Sequence, residues 1–121
     1  MKRVRPISLA VASLLCATTT FAGTWTDLGV PTRVDLVANQ GLMVYGAFGN
    51  TSSCTVPDRF FIPATHPQYK EIYAALLTAM STEKQVEAYI DNCAPVNWYS
   101  VPSTTYSWMS TSGAVNIHGG A

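Results

Sequence analysis

The residues best suited to chemistry in this chain are its aromatic ones. The 121-residue sequence carries three Trp, six Tyr and four Phe, more large rings than the core of one small domain encloses, so some must reach the surface. Trp98, Tyr99, Tyr89, Tyr106 and Trp108 fall in the C-terminal third, and Asp91, Asn92 and Asn97 lie among them. Ring faces stack on the apolar face of a sugar while Asp and Asn exchange hydrogen bonds with its hydroxyls, and Trp and Tyr are equally the anchors of protein interfaces. Trp98, Tyr99, Tyr89, Asp91 and Asn92 are therefore the candidate ligand-binding residues, for a glycan or for a protein surface. Tyr106 and Trp108 have a second reading, as filling between a sheet and a helix.

Catalytic sets are harder to assemble. After the first 22 residues there are two histidines, His66 beside an expected helix start and His118 in a Gly-rich tail, which leaves little for a general base. Glu83, Glu87 and Asp91 lie close in sequence, and paired carboxylates can hydrolyse glycosides, but only across a cleft at a defined separation. A solvated strand face is the simpler reading. No Gly-x-Ser-x-Gly elbow accompanies the many serines. Asn50-Thr51-Ser52 fits a glycosylation sequon and also fits a turn. The expectation is no catalytic residues, no metal ligands, no cofactor and no enzymatic activity.

The formal charge is zero, with seven Lys/Arg against seven Asp/Glu, yet Lys2, Arg3 and Arg5 crowd the first five positions. An apolar run from Ile7 to Ala17 and the small-x-small pattern Thr20-Phe21-Ala22 complete the layout of a secretory signal peptide over residues 1–22. Cleavage after Ala22 leaves 99 of the 121 residues and a charge of about −3. The chain is thus expected to be exported, periplasmic or secreted. The apolar run is too short for a membrane span, and four scattered cations form no stripe for nucleic acid. Cys16 falls inside the signal, so Cys54 and Cys93 remain, and in an oxidising compartment they are expected to pair.

These side chains need elements to hold them. Residues 32–37 and 42–48 alternate around Asn39-Gln40-Gly41 and predict a hairpin. Residues 59–62 predict a third short strand between Pro57 and Pro63. Thr65-His66-Pro67-Gln68 announces a helix over 67–81, capped by Thr65 or His66, with Tyr69, Ile72, Tyr73, Leu76, Leu77 and Met80 along one face. Residues 85–91 and 104–109 predict the fourth and fifth strands. The domain is therefore expected over 23–110, with a flexible tail over 111–121. The class is α+β, mainly β: a five-stranded antiparallel sheet with one helix between the third and fourth strands.

That order, together with the stretch from Tyr69-Lys70-Glu71-Ile72 through Ser81-Thr82-Glu83-Lys84-Gln85-Val86 to Tyr89, resembles the OB-fold B subunits of bacterial AB5 toxins, those of subtilase cytotoxin and typhoid toxin in particular. Trp25-Thr26, just after the signal, is similar to their mature N-terminus. The placement of Cys54 and Cys93 is similar to that in a set of small secreted bacterial proteins. The resemblance implies an OB-like sheet or barrel, a glycan or protein receptor, a homopentameric ring and a toxin A subunit as partner. The toxins' longer C-terminal segment with further cysteines has no counterpart in this sequence, and their sugar-contacting residues do not map onto it one by one. The alternative is a stand-alone envelope module, an interaction or inhibitor domain without sugar binding.

Overall fold

The computed structural model describes residues 23–96 and 104–119. Their elements are β1 (Thr24–Trp25), β2 (Arg33–Val37), β3 (Gly41–Tyr45), β4 (Val56–Pro63), α1 (Tyr69–Thr82), β5 (Gln85–Ile90), β6 (Asn92–Ala94), β7 (Tyr106–Trp108) and β8 (Val115–His118). They form two sheets, one ordered β2-β3-β4-β7-β6 and the other β1-β5-β8. The fold is mainly β with one helix, as its sequence pattern predicts. The expected signal peptide over residues 1–22, and the candidates Trp98 and Tyr99, lie outside the described residues.

β2 and β3 form the expected hairpin, with Val37 opposite Gly41. Asn39 takes the turn's left-handed position at φ 61°, which its short polar side chain tolerates. Gly41 is needed for a different reason: β4 passes so close that a Cβ there would run into the Ile62 carbonyl oxygen. β4 is longer than the predicted 59–62 because a bulge carries it past Pro57. Its register shifts between Val56 and Phe60, and Asp58 sits at φ 60°. A bulge is where a strand can accept proline without losing a ladder bond.

The sheet is not wholly antiparallel, because β7 runs parallel to β4 while pairing antiparallel with β6. Parallel neighbours need a long crossover, and the chain supplies one in α1, β5 and β6. The predicted fourth strand is divided at Asp91: β5 pairs with β1 and β8, and β6 then joins the larger sheet on β7. Two further differences concern the ends. Residues after Gly23 that read as turn-rich supply β1, and Val115–His118, expected to fray, form β8 along Gln85 to Ala88.

α1 begins at Tyr69, two residues later than predicted, with Gln68 as its N-cap and no side-chain cap bond. His66 takes a different role, accepting the Gln68 N–H at Nδ1 (3.0 Å). Ile72, Leu76 and Ala79 pack with Leu42, Val44, Phe60, Ile62, Val86, Ala88, Ile90 and Met109, so both sheets and the helix share one core. Phe48 completes it, its ring edge-on to Phe60 at 4.9 Å. The opposite face of the larger sheet holds a second cluster of Val37, Met43, Phe61, Val96 and Tyr106, with Trp108 packed against it. Tyr106 and Trp108 do share a face, but it is this one, away from the helix. Trp108 lies over Phe61 with ring centroids 4.6 Å apart.

Candidate functional site

Of the five residues selected from sequence, three are described, and they do not form one surface. Tyr89 lies on β5, half-buried, with its ring 5.4 Å from that of Trp25 in an edge-on arrangement. Asp91 is committed elsewhere. Its carboxylate accepts the Ser110 N–H (3.0 Å) and the hydroxyls of Ser110 and Ser112, fastening the turn that follows β7. Asn92 is exposed and accepts the N–H of its own neighbour Cys93 (2.9 Å).

The residue missing from that set is Trp25. It is 38% exposed on β1, an edge strand of two residues whose register on β5 puts it opposite Tyr89. β1 is held by more than its own ladder: Thr51 Oγ1 donates to the Trp25 carbonyl (3.0 Å), and Gly23 packs so tightly on the Tyr89 hydroxyl that a Cβ would overlap it. The exposed indole is thus held in place before any ligand arrives. Sequence offered one signal for it, a large aromatic residue in a polar, turn-rich stretch.

His66, Glu87 and the two cysteines, groups with catalytic potential, are engaged in holding the fold. His66 is buried; since Nδ1 accepts, Nε2 carries the hydrogen and donates to the Gly113 carbonyl (2.9 Å), joining the helix start to the turn before β8. Glu87 meets His118 (3.2 Å) and Asn116 (3.3 Å) across the β5–β8 ladder, apart from the bonds of Asp91. Cys54 and Cys93 form the expected disulfide, with Cα atoms 5.5 Å apart. Both side-chain polar atoms of Asn50 bond the backbone of Cys54, so the sequon is a turn in which the amide is in use. Among the described residues no group of three potential metal ligands occurs, and no helix is long and apolar enough to cross a membrane.

Two other features stand out. A pocket of about 310 Å³ opens at the start of α1, lined by Ala64, His66, Pro67, Tyr69, Lys70 and Glu71. Burial, and then Tyr73 nearby, push the Tyr69 phenol above its usual value. On the larger sheet, Arg33, Tyr45 and Arg59 stand side by side on β2, β3 and β4, with both guanidiniums over the Tyr45 ring at 4.6 and 4.5 Å. No protein-family model matches the chain, and no curated protein or solved structure is significantly similar to it.

Proposed function

We propose that this chain is an exported, non-catalytic binding module that recognises a glycan through the Trp25–Tyr89 corner. The observation that carries the reading is the exposed, pre-ordered indole of Trp25 against Tyr89. A large ring left in water gains free energy when a ligand covers it, and one already fixed in place loses little entropy on binding. The Asp91 and Glu87 carboxylates and the Ser110 and Ser112 hydroxyls are spent on a turn and a ladder, which favours aromatic contact as the means of binding. The disulfide supports an oxidising location. The order β2-β3-β4-β7-β6, with one helix between β4 and β5, supports the OB-type reading, a partly open Greek-key barrel that commonly binds oligosaccharides.

The test is a glycan array with residues 23–121, wild type and Trp25→Ala. Wild-type protein is expected to retain a defined subset of sugars, with about tenfold weaker binding in the variant, the scale of one lost aromatic contact. Absence of binding to any sugar, or a silent Trp25→Ala, rejects the glycan reading. A second reading, a protein surface, is favoured by Leu28, 41% exposed a few residues along the same edge. A ring of five and an A subunit remain proposals drawn from the toxin resemblance. Native mass spectrometry checks the ring, since a strict monomer removes it.

A further inference from the structure

The row Arg33, Tyr45, Arg59 contains two guanidiniums that are treated very differently. Arg33 has its counter-charge built in: Nε and Nη2 reach the two carboxylate oxygens of Asp35 at 2.8 and 2.9 Å. Arg59, on the far side of Tyr45, has none among the described residues. Its guanidinium carbon lies 4.5 Å from the Tyr45 ring centroid and 5.9 Å from that of Tyr106. Rings attract the cation but accept none of its N–H bonds in the way an oxygen does. Nε is enclosed with no hydrogen-bond partner. The two terminal nitrogens have no hydrogen-bond partner among the described residues, and the side chain as a whole is half-buried beside two phenols.

We propose that Arg59, flanked by Tyr45 and Tyr106, is a carboxylate-binding site that takes a small monoanionic ligand. A guanidinium edge matches a planar carboxylate with two parallel charge-assisted bonds, the pairing that Arg33 and Asp35 already make in the same row. The aromatic walls fix the fork, so little is lost in ordering it. Tyr106 is 3% exposed, so its ring is a fixed wall beside the guanidinium. The surrounding charge selects a single anion. Residues 23–119 carry four Lys/Arg and seven Asp/Glu, a background that repels polyanions such as nucleic acid or multiply phosphorylated ligands. The site is separate from the Trp25–Tyr89 corner, which belongs to the other sheet.

The test is titration of residues 23–121 with sodium glucuronate and with sodium benzoate, each against its methyl ester, followed by isothermal calorimetry and by shifts of the Arg side-chain N–H signals in NMR. The two acids separate a sugar-borne from a plain carboxylate. Binding of either acid in preference to its ester, weakened about tenfold or more by Arg59→Gln and unaffected by Lys70→Gln, is the expected result. Esters binding as tightly as acids, a silent Arg59→Gln with a wild-type circular dichroism spectrum, or equal losses in Lys70→Gln would overturn it. Should Arg59→Gln fail to fold, Arg59→Lys decides: it keeps the charge over Tyr45 but not the fork, and unchanged affinity for both acids rejects the site.

Discussion

Thr26 shows how much a single polar side chain does in this fold. Its N–H donates to the Ala88 carbonyl (2.9 Å), its Oγ1 accepts the buried Ala88 N–H (3.0 Å), and the same hydroxyl donates to the Asp27 carbonyl (3.1 Å). The side chain thus stands in for a missing ladder acceptor just where β1 ends. Thr26→Val, equal in shape, leaves the Ala88 N–H buried without a partner. It is expected to cost about 1–3 kcal/mol in urea unfolding, whereas Thr26→Ser stays close to wild type. His66 and Asp91 work in the same manner, as fasteners between segments distant in sequence. Their types mark them as polar residues of interest, but the partners that define their roles, Gly113 and Ser110, lie 47 and 19 residues away, beyond what local spacing conveys.

Among the elements, those with a strong local period were legible. The β2–β3 hairpin has alternation and a turn with Asn and Gly; α1 has its apolar stripe. What escaped was set by pairing at long range. β8 is only four residues long, Val115–His118, within a stretch rich in Ser and Gly, and it is a strand because β5 offers it a ladder. The Arg33-Tyr45-Arg59 row likewise exists only through the register of three strands. Trp25 became a candidate only when β1 was placed opposite Tyr89. The disulfide, read from compartment and count, ties the segment leading into β4 to β6, its two cysteines 39 positions apart in sequence. Opening it releases a loop whose closure is worth about 4 kcal/mol in the chain-entropy treatment. Cys54→Ser with Cys93→Ser, or reduction of the wild type, is therefore expected to lower the melting temperature by about 15–30 °C for a domain of this size. A loss of only a few degrees in calorimetry would mean that the sheet pairing alone holds β6.

For the molecule as a whole, pH acts through buried phenols. Burial raises Tyr106 above the usual 10.0; Arg59 pulls it down and Tyr45 raises it, with the net direction upward. Tyr69 is raised as well. A group that holds its proton more tightly when folded leaves the unfolded chain with fewer protons at high pH, so stability is intact below the ordinary phenol range and falls as pH climbs through and beyond it. Unfolding midpoints in urea are expected to be flat up to about pH 9 and to drop from pH 10 upward, with a shallower drop in Tyr106→Phe. β5 has one further property of scale. Its two neighbours are β1, the first strand in the described chain, and β8, the last. The smaller sheet thus joins the two ends of the described chain, and it cannot be complete until residues 115–118 have emerged from the ribosome to pair with β5.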